Sequence, residues 1–125
     1  MSAHANAKYA ALIMEESSGK VIYSRNADKQ LYPASLTKIM TLYLLFEALE
    51  QKQVSMTTKM KVSKVAASRS PSKLFLRVGS TISVQDAILA LVTKSANDVA
   101  TVVSEHLGGT ERAFAKQMTR KAHAL

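Results

Sequence analysis

Between residues 8 and 15 the chain carries an unbroken apolar run, Tyr9-Ala10-Ala11-Leu12-Ile13-Met14, short enough for a buried strand. Glu16-Ser17-Ser18-Gly19-Lys20 interrupts it with polar residues and a glycine available for positive φ. β-favouring residues resume at Val21-Ile22-Tyr23-Ser24, and Asn26-Ala27-Asp28-Lys29 closes the pair as a loop. The pattern predicts a β-hairpin. After Pro33 and Ala34, a helix-favouring run extends from Ser35 to about residue 53. Its apolar positions, Leu36, Ile39, Met40, Leu42, Tyr43, Leu44, Leu45 and Phe46, cover every side of a helical wheel. That predicts a buried helix rather than a surface one. Only Glu47, Glu50, Gln51 and Lys52 mark a wet far end.

Residues 54–82 are mixed, with β-like pieces at Lys61-Val62 and Leu74-Phe75-Leu76 and a loop at Ser68-Arg69-Ser70-Pro71-Ser72. Ser83 is placed to cap a helix from Val84 to about Lys94, with Gln85 and Asp86 in a first turn that favours negative charge. Ser95-Ala96-Asn97 leads into another helix ending at Gly108-Gly109. Thr110 caps a last one from Glu111 onward, whose basic end at Arg120 and Lys121 suits a C-terminus. The expected fold class is α/β (α+β), in the order hairpin, buried helix and helical lobe. Residues 8–53 group as hairpin and helix, and 54–125 as the mostly helical lobe.

Composition narrows the classes of function. A chain of 125 residues supports one compact core. No apolar stretch approaches the roughly 18 residues that span a bilayer. Residues 1–7 lack the basic-then-apolar pattern of a secretion signal, so a cytoplasmic protein or one starting after a cleavage point is expected. With no cysteine, disulfides, zinc–thiolate sites and thiol nucleophiles are excluded. His4, His106 and His123 are far apart and show no metal-ligand spacing. The net charge of +8 raises nucleic acid, an anionic membrane surface or an acidic polymer as partners. The 17 basic residues are scattered, however. Their densest stretch, 59–73, is interrupted by Ala66-Ala67 and Pro71, and no aromatic residues alternate with it as a strand-stacking platform requires. A solvated basic surface is the expectation, with no nucleic acid partner.

Chemistry enters with Ser-x-x-Lys, a pattern that puts both side chains on one helical face. A serine hydroxyl attacks only once a base takes its proton, and a neutral lysine can be that base. The pattern occurs three times, as Ser17 with Lys20, Ser35 with Lys38, and Ser70 with Lys73. Ser17 lies in the glycine-containing turn, and Ser70 precedes Pro71, which biases it away from helical geometry. Ser35 opens a helix, where free backbone N–H groups favour a developing oxyanion. Lys38 lies one turn on among Ile39, Met40 and Leu42, which would strip water from its ammonium. The bland alternative is a serine cap followed by a lysine that snorkels to solvent. Ser-x-Asn occurs twice, at Ser24-Arg25-Asn26 and Ser95-Ala96-Asn97. The second lies between two apolar helices, where a hydroxyl can relay protons and an amide can hold a carbonyl. Taken by itself, an ordinary helix junction with asparagine as a cap is the stronger reading.

Taken together, these segments resemble a known family. Tyr32-Pro33-Ala34-Ser35-Leu36-Thr37-Lys38-Ile39-Met40-Thr41 is similar to the nucleophile segment of the serine-type D-alanyl-D-alanine carboxypeptidases, the low-molecular-weight penicillin-binding proteins. Ser18-Gly19-Lys20-Val21-Ile22-Tyr23 with Asn26-Ala27-Asp28 resembles the family's first hairpin, and Lys94-Ser95-Ala96-Asn97-Asp98-Val99-Ala100 its second motif. The likeness covers 9–125 and implies the N-terminal, active-serine part of a β-lactamase/transpeptidase-like fold, with the rest of the antiparallel sheet missing. It implies that Ser35 attacks the bond between the terminal D-alanines of a peptidoglycan stem peptide, with Lys38 as base, Ser95 as proton relay and Asn97 positioning substrate. β-Lactam antibiotics are expected to acylate the same serine, no cofactor or metal is implied, and the expected location is the periplasm or extracytoplasmic envelope. The family's third motif, Lys-Thr-Gly or a close variant, does not occur in these residues. The segment is therefore expected to self-associate or to be completed by a further portion of the sheet. Two rivals stand beside this reading. A class A β-lactamase shares the first motif but usually carries Asp at the place of Ala96. A non-catalytic basic module would bind an anionic polymer in a salt-dependent way and be indifferent to Ser35.

Overall fold

A computed structural model describes residues 9–125, and the chain divides between Ala34 and Ser35 into two compact units. His4 and the leader reading of residues 1–7 lie outside the described residues. In the first unit, β1 (Ala11–Met14) and β2 (Val21–Arg25) form the expected antiparallel hairpin. Ala11 faces Arg25, Leu12 faces Ser24 and Ile13 faces Tyr23, with an irregularity before Met14 and Val21. Glu15 N–H donates to Lys20 O at 2.9 Å, and Gly19 takes the positive φ of +70° that closes the turn. Asn26 Nδ2 donates to Tyr9 O at 2.9 Å, tying the outer ends of the two strands. Leu12, Ile13, Met14, Val21, Ile22 and Tyr23 are all exposed, so among its described residues this unit shows no apolar core of its own.

The second unit opens with a 3-10 turn, Ala34–Leu36, that runs into α1 (Thr37–Glu50). There follow β3 (Lys59–Lys61), α2 (Lys64–Ala67), β4 (Thr81–Ser83), α3 (Val84–Lys94), α4 (Asn97–Gly108) and α5 (Glu111–Ala124). α4 is the hub, touching α1, α2, α3, α5 and β3. Its Val99, Val102 and Val103 are fully buried together with Leu45, Met60, Val62 and Val84. Expected caps are in place: Ser83 Oγ accepts from Asp86 N–H and Thr110 Oγ1 from Ala113 N–H, each at 3.1 Å.

Two expectations need correction. The helix from Ser35 is buried on one side only: Thr41, Leu44, Leu45 and Ala48 face the core, whereas Leu36, Ile39, Tyr43 and Phe46 are exposed. Within this unit α3, α4 and α5 cover one flank of α1, and an all-round apolar sequence cannot create a second cover. Leu74-Phe75-Leu76 is not a strand; instead β3 pairs with β4, Met60 facing Ile82. The amides of Leu74 and Leu76 are taken by the Asp98 carboxylate, which removes them from any ladder. Inside the unit that starts at Ser35, α1 packs on α3, α4 and α5.

Candidate active site

The three Ser-x-x-Lys pairs have separate fates. Ser17 sits in the hairpin turn and Ser70 in an irregular segment, so neither is on a helix with its lysine. Ser35 lies in the 3-10 turn leading into α1 and is exposed, while Lys38 stands in the first turn of α1, part-buried. Ala34, just ahead, has a φ of +51°, a left-handed conformation unusual for a residue with a Cβ. Such conformations cluster at functional sites.

The second motif reaches the same place from the other side of the fold. α3 ends at Ser95, itself left-handed at φ 52°, ψ 42°, and Ala96 turns the chain so that Asn97 opens α4. Lys38 Nζ donates to Asn97 Oδ1 at 2.8 Å, joining motifs 59 residues apart. The snorkelling alternative for Lys38 is therefore not what is seen. Nor is the expected shielding complete, because Ile39 is exposed. Among the described residues no hydrogen bond joins Lys38 Nζ to Ser35 Oγ, and Ser95 Oγ makes none. The arrangement brings Lys38 and Asn97 together and places Ser35 and Ser95 at the ends of the elements that carry them. Ser24-Arg25-Asn26 takes no part; it ends β2, and Asn26 braces the hairpin.

A part of the site that sequence reasoning missed is the segment from Ser70 to Leu76. Asn97 Nδ2 donates to Ser70 O at 2.8 Å, and Asn97 N–H donates to Ser72 O at 2.7 Å. Ser72 Oγ donates to Lys94 O at 2.8 Å. Lys73 is buried and donates to Ala67 O at 2.6 Å, with its ammonium 5.4 Å from the Phe75 ring centre. Asp98 is fully buried beneath this segment. The signal available in the sequence was an aspartate directly ahead of the apolar Val99-Ala100 in the first helical turn. Among the described residues no group of acidic or histidine side chains is placed to hold a metal ion.

Comparison with known proteins finds relatives along most of the chain. The sequence profile described as D-alanyl-D-alanine carboxypeptidase (peptidase S11) matches residues 1–125. The D-alanyl-D-alanine carboxypeptidase DacF of Bacillus subtilis (strain 168) is 37% identical over 115 residues, covering 92% of this chain and 30% of the relative. DacC of Escherichia coli (strain K12) is 35% identical over 120 residues, covering 91% and 30%. Among solved structures, the D-alanyl-D-alanine carboxypeptidase DacD of Francisella tularensis superposes with a TM-score of 0.85 at 33% identity, over 92% of this chain and 28% of that one. Penicillin-binding protein D2 of Listeria monocytogenes, solved in its ampicillin-bound form, gives 0.78 at 33% identity, over 92% and 45%. The chain thus spans about 30% of the length of the curated relatives it matches. On the profile match along its whole length, these identities and the shared fold, the chain belongs to the D-alanyl-D-alanine carboxypeptidase family.

Proposed function

We propose that this chain supplies the Ser-x-x-Lys and Ser-x-Asn parts of a serine-type D-Ala-D-Ala carboxypeptidase site acting on peptidoglycan stem peptides in the cell envelope. Ser35 Oγ attacks the carbonyl carbon between the terminal D-alanines while its proton passes to Lys38 Nζ. Ser95 relays a proton to the departing D-alanine nitrogen, the peptide bond breaks, and an ester to Ser35 remains until water hydrolyses it. Asn97 holds the substrate amide. β-Lactams enter by the same attack, their ring amide standing in for the peptide bond.

The observation that carries this reading is the 2.8 Å bond between Lys38 Nζ and Asn97 Oδ1. A chance lysine and an ordinary helix cap have no reason to meet across 59 residues, whereas two halves of one site do. Labelled penicillin followed by mass analysis tests it in the full-length protein. Ser35→Ala is expected to abolish covalent labelling, and Ser17→Ala and Ser70→Ala to leave it intact; labelling that survives Ser35→Ala overturns the assignment. We infer further that the exposed apolar hairpin is covered in the working protein, by a second copy or by more sheet. Light scattering on the 125-residue chain is expected to exceed the monomer mass of 13.6 kDa. A cooperatively melting monomer refutes that inference.

A further inference from the structure

We propose that Asp98 is a positioning residue of this site: it anchors the 70–76 segment, which holds the Asn97 amide in the one orientation that can accept from Lys38. The proposal rests on the reading of Ser35, Lys38 and Asn97 given above.

The Asp98 carboxylate has no exposed surface. Its Oδ1 accepts from Leu74 N–H at 3.0 Å and from Val99 N–H at 2.9 Å, and its Oδ2 accepts from Leu76 N–H at 3.1 Å. Favouring its own helix dipole explains an acidic residue in the first turn of α4, but not this geometry. A dipole role is met at the surface through the helix's own amides. Here two of the three donors come from a segment more than twenty residues earlier, and the group is buried to reach them. Backbone donors satisfy both oxygens, and burying a carboxylate without them is costly.

What the anchor holds is the frame around Asn97. Ser70 O receives Asn97 Nδ2, and Ser72 O receives Asn97 N–H. An asparagine amide turned by half a rotation would set its NH2 against the N–H of Lys38 Nζ and its oxygen against a carbonyl. Ser70 O forbids that turn, since it needs a donor. With Leu74 and Leu76 released, only the bonds from Ser72 Oγ to Lys94 O and from Lys73 Nζ to Ala67 O still hold the segment, and the Ser70 carbonyl is set less firmly against the amide. Asp98→Asn keeps the shape but presents an NH2 where a backbone N–H must be accepted, so one anchor is lost.

The experiment is a double-mutant cycle in the full-length enzyme, reading the rate of acylation by labelled penicillin in Asp98→Asn, Asn97→Ala and the double variant. Backbone amide exchange at Leu74 and Leu76 is followed alongside. Asp98→Asn is expected to slow acylation by on the order of 100-fold, the cost of a small misplacement of a positioning group, and to expose both amides to exchange. In the Asn97→Ala background the same change is expected to cost less than about 3-fold, because its effect runs through Asn97. Undiminished acylation in Asp98→Asn, or an equal loss with and without Asn97, overturns the proposal. Should Asp98→Asn fail to fold, Leu74→Pro removes one donor from a surface segment and leaves α4 untouched. It must slow acylation in the same direction, and a full rate there overturns the proposal too. Failure of the underlying reading shows differently, as labelling that persists in Ser35→Ala.

Discussion

Ile22 in the hairpin and Val102 in α4 are both β-branched and lie among apolar neighbours, yet Ile22 is 66% exposed and Val102 is fully buried. The same contrast holds for the two units as wholes. In the unit from Ser35 onward, four helices and strand β3 converge on α4, and each buried aliphatic side chain there is worth about 1.5–3 kcal/mol. The hairpin is held by its ladder, its turn and the Asn26–Tyr9 bond, and none of these removes apolar area from water. A two-stranded ribbon of that kind is marginal by itself. Residue type thus decides what a side chain can bury; the elements that meet decide whether it does.

The largest test of that contrast is a pair of truncations. Phe114 is 1% exposed between α4 and α5, and Phe114→Ala is expected to cost about 3–5 kcal/mol of stability. Ile22→Ala in the hairpin is expected to cost less than about 0.5 kcal/mol, as for surface changes in general. Urea unfolding followed by helical circular dichroism measures both. Equal costs would mean that the hairpin shares the core after all.

Glycines sharpen the comparison at smaller scale. A Cβ at Gly108 would lie 2.6 Å from Phe114 Cβ and 2.8 Å from Phe114 N, so the α4–α5 turn must open to admit it. Gly108→Ala is expected to cost about 1–3 kcal/mol, the range for overpacking. At Gly19 nothing lies within 4 Å, and only the φ of +70° resists a side chain. Gly19→Ala therefore costs about 1 kcal/mol of backbone strain, confined to the hairpin. Thermal melting should register the first substitution and miss the second, which amide exchange at the Glu15 and Gly19 N–H groups would report. A melt that moves equally for both would dissolve the distinction.

Caps and turns were legible in the sequence because they are local: Ser83, Thr110, Gly19 and the Gly108-Gly109 stop each act within a few residues. That a helix follows Ser35 and carries Lys38 in its first turn was legible for the same reason. What periodicity could not show was which side of α1 would find cover, since its pattern is apolar all round and the answer lies in distant helices. Asp98 and the 70–76 segment were missed because their bonds run 22 and 24 residues across the fold, from backbone amides that carry no side-chain signature. Of the local features, Thr110→Ala offers the next smaller check, an expected loss of about 1 kcal/mol read from the same melts. No change there would mean that the cap adds nothing to what Phe114 and the Lys121–Glu47 bond already hold.

The smallest effect expected is electrostatic and separates the units by pH. Lys121 on α5 donates to Glu47 Oε1 on α1 at 2.6 Å, and its ammonium lies 5.8 Å from the Tyr43 ring centre. The hydrogen bond to Glu47 raises its pKa above 10.5; partial desolvation opposes this, while the charges of Glu47 and Tyr43 add to the rise. A lysine whose folded pKa is raised lends stability that is whole below its unfolded value and fades as pH climbs through the folded one. The bridge therefore holds throughout the neutral range and is lost only above about pH 10.5. In the hairpin the cation beside a ring is Arg25, 5.6 Å from the Tyr9 ring centre. Comparing wild type with Lys121→Met from about pH 7 upward, the difference in stability of the helical unit should stay level to about pH 10.5 and then shrink. A difference that is already shrinking by about pH 9, or that grows with pH, would show that the Lys121–Glu47 bond does not help hold α5 to α1.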